Sequence, residues 1–130
     1  MNYQIKLISI SRLKPHEEVN PVNLQHVKKQ IKKSKCFIEP IIVDRTNFII
    51  LDGHHRTKSL IQLGYKKIPA VLVDYESENI KVYPRRKEIP VNKKKIINQA
   101  LQKKLFPFKT SKHIITIRQK SYRIDLEKLK

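Results

Sequence analysis

A mostly polar heptad, Leu51-Asp52-Gly53-His54-His55-Arg56-Thr57, stands where one hydrophobic period stops and another starts. Phe48, Ile49, Ile50 and Leu51 form a short apolar run suited to a strand, and Leu60, Ile61 and Leu63 then recur at helical spacing. A strand feeding straight into a helix sets the helix's first turn, with its unpaired backbone N–H groups and positive dipole end, beside these side chains. That end favours an anion. Gly53 lets the main chain come close, Arg56 offers a bidentate fork, His54 and His55 can donate or accept, and Asp52 can hold a metal or orient a donor. The functional expectation is a nucleotide phosphate site. A plainer alternative makes Asp52 an ordinary helix N-cap, with the histidines and Arg56 solvated on an exposed turn, and the seven residues alone do not separate the two.

At 130 residues the chain has the size of one domain with room for a small appended lobe. Its 39% hydrophobic content supports a buried core, while a formal charge of +18 favours polyanionic partners without choosing among nucleic acid, nucleotides and acidic surfaces. A Lys- and Ile-rich chain with two glycines and seven prolines also fits a thermostable protein or a codon bias. The single cysteine, Cys36, excludes an intrachain disulfide framework and a cysteine-based zinc cluster. It is expected to be an inert, half-buried thiol. No apolar run approaches the roughly 18 residues of a membrane span, and the N-terminus lacks a signal-peptide core, so the expected setting is soluble and cytoplasmic.

In chain order, Tyr3 to Ile10 reads as a first strand and Leu13 to Val19 as a loop containing Pro15. Asn20 and Pro21 look like an N-cap and first helical residue of a helix to about Ser34, with Leu24, Val27 and Ile31 on its apolar face. Ile41 to Val43 and Phe48 to Leu51 read as a hairpin turned by Arg45-Thr46-Asn47. The motif helix follows and stops at Gly64, and Ile68 to Val73 gives another strand. The expected fold class is therefore α+β, a small mixed sheet with flanking helices. Ile80 to Tyr83 reads as an edge strand, and the basic stretch Pro84 to Glu88 is the best boundary candidate, dividing a core over 1–83 from a lobe over 84–130. In that lobe Asn92 caps a helix to about Leu105, and Ile114 to Ile117 and Tyr122 to Leu126 look like closing strands.

Taken together, the Leu13-Lys14-Pro15-His16-Glu17-Glu18-Val19 loop, Glu39-Pro40-Ile41-Ile42-Val43-Asp44, the Leu51 to Arg56 turn, Leu63-Gly64 and Ile68 to Tyr75 resemble the ParB/sulfiredoxin superfamily. Within it the chain is similar to the free L-serine kinases of archaea and their bacterial siderophore-pathway relatives. The resemblance covers residues 3 to 75 well and extends more weakly from Phe106 to Leu129. It implies phosphoryl transfer from ADP or ATP, with Mg²⁺, to the hydroxyl of free L-serine, giving O-phospho-L-serine. Carried over residue by residue, the catalytic base falls on Glu17 and the phosphate site on Asp52, Gly53, His54, His55 and Arg56. Lys109-Thr110-Ser111-Lys112-His113 resembles a substrate loop, which points to Thr110, Ser111 and His113 as serine-binding residues.

The chain is shorter than the archaeal kinases between Tyr75 and Phe106, which leaves contacts from that stretch open. The turn argues against sulfiredoxin chemistry, because that branch carries a nucleophilic cysteine where this chain has Gly53-His54-His55. The competing expectation is a ParB-like nucleic-acid-binding or nucleotide-switch module, motivated by the charge. Only about 55 residues after Tyr75 are left for a DNA-reading domain. A third is a binding protein that holds nucleotide or serine without turnover.

Overall fold

Two apolar strands with no polar alternation sit at the centre of the computed structural model, which describes residues 4–115 and 122–130. They are β3 (Ile41–Asp44) and β5 (Lys67–Val73), paired parallel with Ile41 beside Ala70 and Val43 beside Leu72. Antiparallel neighbours complete a four-stranded sheet: β1 (Ile5–Ser9) lies outside β5 and β4 (Ile50–Asp52) outside β3, giving the order β1-β5-β3-β4. Such continuous apolar runs belong to strands buried on both faces. Ile41, Val43, Ile68 and Ala70 point into one core with Ile31, Leu60, Leu126 and Leu129. Val71 and Val73 point the other way, onto Tyr75, Ile80, Ile96 and Ala100.

Helices α1 (Pro21–Ser34) and α2 (His54–Gln62) pack on each other and supply Ile31 and Leu60 to the first core. Asn20 caps α1 through its side chain, which accepts from the N–H groups of Val22 and Asn23. The opposite face is covered by α3 (Lys93–Leu101) and by an antiparallel ladder of β6 (Ile80–Pro84) with β7 (Ser111–Ile115). The C-terminus returns to the first core, where β8 (Ile124–Asp125) pairs with β2 (Cys36–Phe37) and a 3-10 turn, Leu126–Leu129, buries both leucines.

The mixed sheet and both helices of the α+β expectation are present, with several boundaries moved. The first strand spans Ile5–Ser9, Tyr3 lies outside the described residues, and Ile10 begins a 3-10 turn. Helix α3 ends at Leu101 rather than Leu105. There the chain reverses through Lys103 at φ 57°, with the Lys103 and Lys104 N–H groups bonding the Ala100 and Gln99 carbonyls, a Schellman ending built without glycine. Strand β6 pairs with β7 and is no edge of the main sheet. Strand β7 starts three residues early, at Ser111; residues 116 and 117 of that expected strand lie outside the described residues. The expected strand over Tyr122 to Leu126 shrinks to Ile124–Asp125. Cys36 is buried, its thiol 3.6 Å from the Asp125 carboxylate. Among the described residues no helix is long and apolar enough to cross a membrane.

The segment from Lys14 to Glu18 is strand-like and held from both sides. Lys14 exchanges backbone hydrogen bonds with Phe48 and Ile50 in the hairpin region, while Phe106 donates to the His16 carbonyl and accepts from the Glu18 N–H. A loop by sequence, it is fastened to the core sheet and to the chain beyond α3. That fixes the direction of His16 and Glu17.

Candidate active site

Strand β4 ends at Asp52 and helix α2 begins at His54, with Gly53 as the cap residue at φ +113°. No side chain caps this helix, so the N-cap alternative for Asp52 does not hold. The glycine is required twice over. Its φ disfavours any L side chain, and a Cβ there would overlap the Ile41 side chain, 2.8 Å from Ile41 Cβ. The first turn of α2 thus leaves its unpaired N–H groups at the edge of a cleft of about 490 Å³.

Asp52, Gly53, His54, His55 and Arg56 line this cleft on one side. Glu17, Ser111 and His113 line it on another, so residues separated by up to 96 positions meet at one opening. Thr110 does not line it. It is fully buried behind the wall and contributes its backbone N–H.

The Glu17 carboxylate is pinned through one oxygen. Oε1 accepts from the Thr110 N–H at 2.7 Å, the Ser111 N–H at 2.9 Å and the Ser111 hydroxyl at 3.5 Å, whereas Oε2 makes no hydrogen bond with the described residues. Burial raises the Glu17 pKa above the usual carboxylate range, against the opposing pull of those N–H groups and of the Arg85 guanidinium. A carboxylate with one oxygen held, the other free and its basicity enhanced is equipped to take a proton.

Both histidines of the turn are engaged elsewhere. His54 Nε2 accepts from the His16 backbone N–H at 3.2 Å, and His55 Nε2 accepts from the Asn20 N–H at 3.0 Å. Accepting at Nε2 leaves the proton of a neutral ring on Nδ1. These side chains therefore tie the start of α2 to the loop that carries Glu17. Burial, and then the neighbouring His16, His113 and His55, hold His54 well below the ordinary imidazole pKa; burial, then Lys109 and Arg56, lowers His55.

Arg56 is not a free fork either. One terminal nitrogen lies 3.0 Å from the Glu39 carboxylate, and the other lies 3.5 Å from both the Pro40 carbonyl and the Asp52 carboxylate. Its Nε is buried without a partner among the described residues. An incoming phosphate would compete with two exposed carboxylates for this side chain.

His113 sits between Tyr75, whose hydroxyl lies 2.8 Å from Nε2, and the ring of His16. Burial, then the charge of Lys93, depresses its pKa to about 4, and burial holds the Tyr75 hydroxyl well above the usual phenol range. Lys109 and Lys112, which flank Thr110 and Ser111 in the loop that the sequence marks, also line the cleft, and so does Arg85, which no sequence signal marks and which the β6–β7 pairing of Pro84 with Ser111 brings there. Among the described residues no group of three or more metal-ligating side chains comes together.

The sequence profile described as ParB N-terminal domain matches residues 1–83. A "ParB-like protein" of Sulfolobus acidocaldarius is 41% identical over 81 residues, which are 62% of this chain and 40% of that protein. An "ATP-dependent L-serine kinase" of Staphylothermus marinus is 39% identical over 80 residues, 58% of this chain and 32% of that protein. The matched segment thus spans two fifths or less of these relatives. A solved free serine kinase in complex with AMP superposes with a TM-score of 0.89 at 16% identity, covering 99% of this chain and 95% of that one. At that identity the likeness establishes a shared fold.

Proposed function

The chain belongs to the ParB N-terminal domain family, and from that premise we propose that it is a kinase moving a phosphoryl group from ADP or ATP to the hydroxyl of free L-serine. The observation that carries this reading is that Glu17, pinned through Oε1, and the N-terminus of α2 line one cleft. The name of the Staphylothermus marinus relative and the match in fold to a free serine kinase support it.

In this reading the N–H groups of the first turn of α2 and the Arg56 guanidinium hold the donor's terminal phosphates. The serine hydroxyl oxygen attacks phosphorus, the bond from phosphorus to the nucleotide's bridging oxygen breaks, and the hydroxyl proton passes to Glu17. Since phosphoryl transfer asks the protein mainly for position and charge, the fixed Glu17 and the close approach at Gly53 matter more than any covalent step. Ser111, Arg85 and Lys112 face the acceptor side, where a hydroxyl and two cations suit an amino-acid carboxylate. Thr110 and His113 hold that wall through Glu17 and Tyr75.

Mg²⁺ fits this donor set. Such ions are held by one or two carboxylates together with substrate phosphates, and Asp52 is the cleft carboxylate beside the phosphate end. When bound, the ion would neutralise charge on the phosphates being parted. Its site would be completed by the nucleotide, in keeping with the scattered ligands.

The test is to incubate the protein with Mg²⁺, ADP or ATP and a panel of hydroxylated metabolites that includes L-serine, and to analyse the products. O-phospho-L-serine is expected. No phosphorylated product with any nucleotide, together with tight duplex DNA binding that weakens steeply with salt, would move the assignment to a nucleic-acid module.

A further inference from the structure

Five histidines occur in the chain and all five line the cleft, His26 from an exposed position on α1, and two of them carry the Asp-Gly-His-His-Arg turn. The rings of that pair have each given Nε2 to a backbone N–H of the preceding loop, and His113 has given Nε2 to Tyr75. His16 is different. It is 1% exposed, yet neither ring nitrogen has a hydrogen-bond partner among the described residues. The carbonyls of His16 itself and of Ile50 come near the ring outside hydrogen-bond geometry. A buried imidazole left unpaired on both nitrogens is costly, because each has given up water without gaining a replacement. Groups of that kind in native proteins call for a reason, and a ligand is one.

The surroundings say what kind of ligand. The His16 ring stands edge-on to His54, the first residue of α2, at 4.6 Å between centroids, and to His113 of β7 at 5.7 Å. It therefore lies between the phosphate end of the cleft and the acceptor wall, one residue from Glu17. Burial, and then the charge of His113, hold its pKa at about 3, so at neutral pH the ring is uncharged, with one N–H to donate and one nitrogen to accept. An uncharged donor fixed in a buried place stabilises charge that develops on an oxygen without needing to reorganise.

We propose that His16, rather than His54 or His55, is the imidazole that meets the substrates, donating a hydrogen bond to an oxygen of the phosphoryl group in transfer. The proposal rests on the kinase reading for the identity of that group. His54 and His55 are positioning residues that hold the loop on which His16 and Glu17 ride.

Side-chain ¹⁵N spectra of histidine-labelled protein test it directly, with the His16→Gln variant identifying the His16 signals. Adding ADP with Mg²⁺, or inorganic phosphate, should shift the His16 ring nitrogens while His54 and His55 keep the pattern of a neutral ring protonated at Nδ1. In turnover, His16→Leu should lower kcat about a hundredfold with little change in the KM for nucleotide, and His16→Gln, which keeps a donor, should recover part of the loss. The melting temperature of His16→Leu should equal or exceed that of the parent, since an apolar side chain removes the two unpaired nitrogens. His16 nitrogens unmoved by either ligand would overturn the proposal, whatever the variants do to rate. Failure of the kinase reading has another signature, no phosphoserine from the parent protein with any nucleotide, and the phosphate titration still decides the role of His16 in that event.

Discussion

Glu17 and Ser111, 94 positions apart, are joined by a 2.9 Å hydrogen bond from the Ser111 N–H to the Glu17 carboxylate, and Thr110 adds a second at 2.7 Å. One side chain therefore serves as the proposed base and as the clasp between the loop before α1 and the start of β7. The two roles separate by substitution. Glu17→Gln keeps an oxygen for both N–H groups but cannot take a proton, so the melting temperature should hold while the rate of phosphoserine formation falls about a hundredfold or more. Glu17→Ala leaves both donors unpaired and should in addition cost about 1–3 kcal/mol per buried group, read by urea denaturation. Full rate in Glu17→Gln would remove the base assignment and leave the clasp intact.

Gly53 is a sterically closed point of the site. Its φ of +113° and the Ile41 side chain beneath it leave no place for a Cβ. Gly53→Ala should therefore destabilise the fold by about 1–3 kcal/mol, the usual cost of a residue forced into a sparsely populated region, and tilt the first turn of α2 away from the phosphates. Thermal melts and nucleotide titration calorimetry should both register it. Unchanged binding in the alanine variant would mean that close main-chain approach is not what holds the ligand.

Much of this was legible from the chain because local chemistry and global fold agree. Asn20-Pro21 announces α1, and the runs Ile41 to Val43 and Ile68 to Val73 announce strands buried on both faces. The change of period at Gly53 places the cleft. What stayed hidden depends on partners far away in sequence. The two-residue pairing of β2 with β8 has no periodicity to detect, and the ending of α3 uses a left-handed Lys103 where a glycine would have given the signal. Likewise the sequence shows His54 and His55 as adjacent candidates, whereas their rings are committed to His16 and Asn20, 38 and 35 residues upstream. Which histidine remains unpaired is a property of packing.

Arg56 faces Glu39 and Asp52, and the exposure of those carboxylates keeps the pairs weak in their effect on stability, within about 1 kcal/mol. Arg56→Ala should therefore fold nearly as well as the parent. Nucleotide affinity should fall at least about tenfold, because hydrogen bonds from a charged group to phosphate are worth about 1.5–3 kcal/mol. Arg56→Lys should recover only part of it, a point charge replacing a planar fork. Calorimetric titration with ADP decides the matter, and an unaltered dissociation constant would take Arg56 out of the phosphate site.

Acid should unfold this protein early, and the reason is the cluster of His16, His54 and His113. In the unfolded chain each imidazole titrates near 6.5, whereas burial holds His16 at about 3, His113 at about 4 and His54 well below the ordinary value. Below pH 6.5 the unfolded state binds protons that the folded state refuses. Stability present above 6.5 is thus lost as pH falls toward 4, at up to about 1.4 kcal/mol per pH unit for each histidine. Glu17 works in the opposite direction. Its raised pKa lets the folded form take a proton first, so its contribution is present at low pH and lost as pH rises through the folded value, offsetting at most one histidine. Urea denaturation at pH 7.5, 6.5, 5.5 and 4.5 should show a steep decline that flattens by about one proton in His113→Gln. A stability that stays level from pH 7.5 to 4.5 would mean that these rings are hydrated and already able to take up protons in the folded state.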